Sequence, residues 1–195
     1  MIVASPNLAE FFEEAVSESL QACKVETTAP TASYLVTVLE DFTKPDKAKE
    51  TLDRPLALLL DEALHAPNVG ERFERLRPLG DGVLYASGFF ADHFQRRGVR
   101  PGYLYGIGAR AYGSASAMLG AQDDTLDVFG ELARRFEAFV AVIADVAEQS
   151  TAMSAAGSQG VLRLYERWLK TGSERMAGAL TERGISPSRA PKGLH

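Results

Sequence analysis

The sequence has 195 residues, of which 46% are hydrophobic and 24% are charged, and its formal net charge at pH 7 is −5. These values are typical of a globular protein and argue against intrinsic disorder. The negative charge argues against a nucleic-acid partner, because phosphate contacts need clustered lysine and arginine. A single cysteine, Cys23, excludes an intramolecular disulfide and a cysteine-rich metal site.

Two features of the sequence indicate where in the cell the protein is located. An apolar run such as PLALLL at 55–60 is far shorter than the ~20 residues needed to cross a bilayer. The first residues, MIVASPNLAEFFEEA, turn acidic at once and lack the basic start of a secretory signal. We therefore expect a cytoplasmic protein with no membrane partner.

Helix signals dominate the chain, because apolar residues recur at intervals of three and four and no run of strand alternation occurs. We therefore predict one all-α domain over residues 1–184, a helical bundle with a central Gly/Ala-rich helix, followed by a flexible C-terminal tail over 185–195. About seven helices are predicted, at roughly 5–23, 31–42, 55–66, 68–98 with a break at 77–82, 101–119, 125–149 and 161–183.

The breaks between these helices follow from composition. Within RPLGDG (77–82), Pro78 removes a backbone donor and two glycines loosen the chain. TKPDKAKETLDR (43–54) is predicted to be an exposed charged connector, and STAMSAAGSQG (150–160) a small-residue linker.

The segment GYLYGIGARAYGSASA (102–117) is rich in glycine and carries one charge, Arg110. GIGARA fits a variant of the dinucleotide-binding fingerprint, but that fingerprint needs a strand before it, and a P-loop would need Gly-Lys-Ser/Thr. In a helix with about 100° per residue, the small residues fall in one narrow strip instead. The strip consists of Gly102, Gly106, Ala109, Gly113, Ser116 and Ala117.

We interpret this strip as a contact face, because glycine inside a helix costs about 0.5–1 kcal/mol relative to alanine and close approach can offset that cost. A neighbouring helix, a second subunit or a flat small molecule could fill it, and the sequence leaves these three open. Gly172, amid apolar residues of the last helix, predicts a similar groove. The predicted interface residues are Gly102, Gly106, Ala109, Gly113 and Ala117.

Aromatic residues are concentrated in the same quarter of the chain. They could line a cavity for an apolar ligand, with His93 able to ligate haem or a metal or to titrate near neutral pH. An aromatic core with a hydrogen-bonded histidine at its boundary is the alternative. The predicted ligand-binding residues are Tyr85, Phe89, His93, Tyr105, Arg110 and Tyr112.

Signals for metal binding and catalysis are weak. Glu62 and His65 have the Glu-x-x-His spacing of ferritin-like di-iron bundles, but such a site needs two of these motifs and two further glutamates. On the helical wheel the pair lies opposite the apolar face, which favours a solvated cluster. No nucleophile motif is visible, so we predict no catalytic residue, no metal and no cofactor.

The leading hypothesis is a non-catalytic interaction or regulatory protein that self-associates, or binds a protein partner, through an apolar helix face. The alternative is a helical pocket protein that binds a hydrophobic small molecule or a tetrapyrrole such as haem near His93. A third is a ferritin-like metal oxidase that uses Glu62 and His65. No motif is specific enough to assign a family.

Overall fold

The computed structural model describes residues 6–43, 54–120, 127–154 and 157–188, and within these ranges it contains helices and no strand. The all-α prediction is confirmed. Most of the predicted charged connector lies outside the described residues. The ten helices are α1 (Pro6–Ala22), α2 (Ala29–Phe42), α3 (Leu56–Leu64), α4 (Val69–Phe89), α5 (Ala91–Arg96), α6 (Pro101–Leu119), α7 (Val128–Arg134), α8 (Phe136–Ser154), α9 (Gly157–Thr171) and α10 (Glu174–Glu182).

Short polar side chains explain where four helices begin. Thr28 precedes α2, Asn68 precedes α4, and the side chain of each accepts a hydrogen bond from a backbone N–H in the first turn. The Asn68 side-chain amide also donates to Glu71 Oε1 at 3.1 Å, which holds the capping side chain in place. Asp127 and Ser173 cap α7 and α10 in the same way.

Helix α4 runs without a break through Pro78, where the sequence predicted an interruption. Pro78 is exposed, whereas Gly80 and Gly82 are buried. A Cβ added at Gly80 would lie 2.7 Å from the ring of Tyr112 in α6. The glycines therefore permit close packing between two helices, and that packing outweighs the local preference for a break.

Two predicted helices are each divided in the structure. The helix predicted over 125–149 becomes α7 and α8, which are separated at Arg135. The helix predicted over 161–183 ends at Gly172, whose φ of 70° is left-handed, and resumes as α10. Gly172 is thus a turn residue and does not form the groove predicted around it. Most of the predicted linker 150–160 is helical, since α8 extends to Ser154 and α9 begins at Gly157.

The chain divides into two compact units, residues 1–145 and 146–195, with the boundary inside α8. A single-domain bundle of about seven helices is therefore not confirmed. In the first unit, fully buried side chains include Leu35, Leu39, Leu76, Leu84 and Ile143. In the second unit, Leu164, Trp168, Met176 and Leu180 form a separate core, against which Ile185 packs.

Helix α6 packs against α3, α4, α5 and α7, so the helix predicted over 101–119 is confirmed and lies among several neighbours. Pro101 occupies its first turn, and Gly120 ends it with a left-handed φ of 59°. Its buried residues are Leu104, Ile107, Gly108, Ala111, Tyr112 and Ala115, at helical spacing. A Cβ at Gly108 would overlap the ring of Phe136. Close approach therefore occurs on the face opposite the predicted strip.

We expect Gly108→Ala to destabilise the protein by about 1–3 kcal/mol, because the added methyl overpacks the buried ring of Phe136. The control is Gly106→Ala in the same helix, where no described atom lies within 4 Å of the new Cβ. This change should stabilise the protein by about 0.5–1 kcal/mol through helix propensity. Urea unfolding at low protein concentration measures both effects, and equal effects would contradict the packing described.

Candidate functional site

The small-residue strip of α6 is open at its N-terminal end. Gly102 and Gly106 are exposed, and no described residue lies within 4 Å of the position a Cβ would occupy at either. Farther along, the corresponding position at Gly113 lies 3.6 Å from the Cβ of Ala133, close to the end of α7. The strip is therefore covered by the chain's own helices only towards its C-terminal end.

The other strip residues differ in burial. Ala109 is half-buried, whereas Ala117, beyond the contact at Gly113, is exposed again. The hydroxyl of Ser116 donates to Asp127 Oδ2 at 2.8 Å, in the cap of α7. The five predicted interface residues thus lie on one side of α6, and the two in its first turns are the most open.

Aromatic and charged side chains border the open part of the strip. On one edge lie Tyr103, which is 45% exposed, and Arg110, which is exposed. The Tyr103 hydroxyl accepts from the N–H of Ala57 at 3.2 Å. On the other edge, burial raises the pKa of Tyr105, and the nearby Glu137 carboxylate raises it further. The two edges therefore carry opposite charges, Arg110 and Glu137.

A buried carboxylate connects three helices of the first unit. Asp81 in α4 accepts two hydrogen bonds at Oδ1, from the Tyr34 hydroxyl of α2 at 2.7 Å and from the Tyr112 hydroxyl of α6 at 2.8 Å. Its other oxygen lies 4.0 Å from Arg77, and its side chain is 13% exposed. The ring of Phe129 packs against both tyrosine rings, at centroid distances of 5.3 and 5.9 Å.

This environment changes the protonation of all three groups. Burial raises the pKa of Asp81 from 3.8 to about 6, although the tyrosine hydrogen bonds and Arg77 lower it. Burial and the negative charge of Asp81 raise the pKa values of Tyr34 and Tyr112. Both tyrosines thus remain hydrogen-bond donors at neutral pH, while the carboxyl group can take up a proton in mildly acidic solution.

Sequence reasoning missed this cluster. Asp81 lies in RPLGDG, which resembled a helix break, and only a continuous α4 turns it towards two tyrosines that are 47 and 31 residues away in sequence. Composition predicts Tyr112 in a ligand pocket instead. The available signal was an acidic residue one helical turn before the apolar Leu84, which is fully buried.

A second buried carboxylate, Glu131 of α7, fastens the turn before α2. Its oxygens accept from the hydroxyls of Thr27 at 2.9 Å and Thr28 at 2.8 Å. Burial raises the pKa of Glu131, but hydrogen bonds from Thr31, Thr28 and Thr27 outweigh burial and leave the pKa below its ordinary value. Arg135 lies 3.3 Å away. Glu131 is therefore a stable anion in a structural contact.

The predicted pocket residues occupy separate surroundings. Tyr85 stacks between Phe42 and Phe89, at ring-centroid distances of 4.7 and 4.4 Å. His93 is exposed on the short helix α5, whereas Tyr112 is fully buried beside Asp81. Tyr105 and Arg110 border the strip on opposite edges. A pocket that uses all six residues, with or without haem, stays a prediction.

The Glu-x-x-His pair faces solvent. Glu62 Oε1 lies 2.5 Å from Arg54 Nη2, and its side chain is 39% exposed. His65 Nδ1 lies 2.8 Å from the carbonyl oxygen of Asp61 in the preceding turn. Within the described part of the chain, no three histidine, cysteine, aspartate or glutamate side chains gather as metal ligands would.

No described helix combines the length and the apolar character that a membrane span requires. No family model, curated protein or solved structure matches the chain.

The raised pKa of Asp81 predicts a pH-dependent stability. Between pH 4 and pH 6 the folded protein keeps a proton on Asp81 that the unfolded chain has released. The stability that this proton contributes is complete below about pH 4 and is lost as the pH rises through about 6. Raising the pKa from 3.8 to about 6 corresponds to a loss of stability on the order of 3 kcal/mol. Asp81→Asn cannot ionise but keeps a carbonyl oxygen that accepts from the tyrosines.

We therefore expect Asp81→Asn to flatten the fall in unfolding free energy across this pH range, as measured by urea titrations at several pH values. Asp92→Asn, which changes an exposed carboxylate of α5, should leave the wild-type slope intact. An Asp81→Asn variant with the wild-type slope would contradict the assignment.

Proposed function

We propose that this protein is a non-catalytic helical interaction protein that self-associates through the open part of the α6 strip. One observation carries the proposal: Gly102 and Gly106 lie one helical turn apart on the exposed side of α6, with no described atom within 4 Å of either Cβ position. Contact with Tyr112 of α6 accounts for Gly80, and contact with Phe136 of α8 accounts for Gly108. It does not account for these two glycines.

Energetics favour a partner at this surface. Each helix-interior glycine costs about 0.5–1 kcal/mol relative to alanine, and Gly106 gains nothing from the described chain in return. A second helix can approach a surface without side chains closely, which increases dispersion contacts along both backbones. Tyrosine and arginine, which border the strip as Tyr103, Tyr105 and Arg110, are enriched at protein interfaces.

A second copy of the chain fits the charge distribution of the two edges. If two copies face each other with their α6 helices parallel, a twofold axis along the helices brings each Arg110 edge against the other copy's Glu137 edge. The antiparallel arrangement would bring like charges together. We therefore infer a parallel, symmetric dimer.

The buried carboxylates support a non-catalytic role. Asp81 has two tyrosine hydroxyls as partners and Glu131 has three threonines. These partners account for the burial of each carboxylate without a substrate.

Gly106→Leu should weaken self-association at least tenfold, because a leucine side chain holds the two backbones apart and removes contacts between them. A tenfold change corresponds to a loss of about 1.4 kcal/mol of binding free energy. Sedimentation velocity over a wide concentration range measures the dissociation constant. The matched control is Gly178→Leu at an exposed glycine of α10, with no described atom within 4 Å of its Cβ position. A wild-type protein that stays monomeric at several hundred micromolar, or equal effects of the two variants, would overturn the proposal.

Charge reversal tests the orientation separately. Arg110→Glu should weaken the dimer, and Arg110→Glu combined with Glu137→Arg should restore it. If the double variant associates no better than Arg110→Glu, the parallel arrangement is wrong, even where Gly106→Leu still disrupts the dimer.

A further inference from the structure

Helices α1 and α2 enclose a groove of about 460 Å³. This volume lies in the range of small-molecule sites in proteins, about 300–1,000 Å³. It is lined by Ala9, Glu13, Val16, Ser17 and Leu20 of α1 and by Ala32, Ser33, Val36, Thr37 and Glu40 of α2.

The lining combines five apolar side chains with three hydroxyls and two carboxylates. The two helices are joined by the short turn 23–28, so Leu20 and Ala32 lie near the turn, together with Val36. Glu13 and Glu40 lie farther from the turn, one on each helix. The groove thus offers apolar side chains and hydroxyls nearer the turn, and one carboxylate from each helix farther from it.

The charge of the lining is one-sided. No lysine, arginine or histidine lines the groove, and among the described residues neither Glu13 nor Glu40 has a basic group within ion-pair distance. A cation in the groove would be attracted by both carboxylates. A cation that carries an apolar body would also cover Val16, Leu20 and Val36.

We propose that this groove binds a small organic cation of the alkylammonium class. Its hydrocarbon part lies against Val16, Leu20 and Val36, and its ammonium group lies between Glu13 and Glu40. An alkyl anion of the same length would place its charge against the two carboxylates and is excluded. The site uses other helices than the α6 strip, so it is independent of self-association.

Octyltrimethylammonium, below its micellar concentration, is the probe, and octyl sulfate is the anionic comparison. We expect calorimetry on the full chain to show saturable binding of the cation that weakens with added salt, and no binding of the anion. Backbone amide NMR shifts should change in α1 and α2. Equal binding of both amphiphiles, or shifts confined to other helices, would overturn the proposal.

Paired substitutions test the role of the carboxylates. Glu13→Gln with Glu40→Gln keeps the shape of the groove and should weaken binding of the cation at least tenfold, a loss of about 1.4 kcal/mol. The control is Glu14→Gln, an exposed glutamate of α1 outside the lining, which should change the affinity less than twofold. Equal effects of the double variant and the control would contradict the site.

Filling the groove provides a second readout. Ala32→Leu adds bulk at a half-buried lining position and should abolish binding while leaving the far-UV circular dichroism unchanged. If this variant fails to fold, the glutamine variants at Glu13 and Glu40, which sit at the surface, still decide the question. Undiminished binding to a folded Ala32→Leu variant would overturn the proposal.

Discussion

The first unit depends on the contact between α4 and α6. The ring of Tyr112 lies against the backbone of α4 at Gly80, and its hydroxyl donates to the adjacent Asp81, which also accepts from Tyr34 of α2. A buried carboxylate is tolerated only with such partners. This contact sets which side of α6 is buried, and it thereby leaves the glycine-bearing side at Gly102 and Gly106 open.

The existence of α6 was predictable, whereas the side it buries was not. Pro101 and Gly120 mark its ends by local chemistry, and the sequence gives no competing strand pattern. The strip of small residues predicts a face for close approach by a neighbouring helix, a second subunit or a small molecule. In the structure the chain's own close approach is at Gly108, on the opposite side, because Leu104 and Ile107 bury more apolar area there.

The polar contacts could not be predicted, since they join residues that are distant in sequence. Glu131 meets the threonines of the α2 turn across more than a hundred residues, and neither partner belongs to a recognisable motif. Helix ends, by contrast, depend on local chemistry, as at the Asn68 side chain and at Gly184, whose φ is 77°. Patterns within one helix are thus readable from sequence, but the pairing of helices, which creates the site, is not.

The second core has an optical consequence. The chain has one tryptophan, Trp168, and it is buried among Leu164, Met176 and Leu180 in the unit 146–195. Five of the six tyrosines belong to the other unit, with Tyr165 as the exception. Indole fluorescence therefore reports selectively on the smaller unit, while phenol absorbance reports mainly on the larger one. The unfolding of each unit can therefore be followed through its own intrinsic chromophore, without labels.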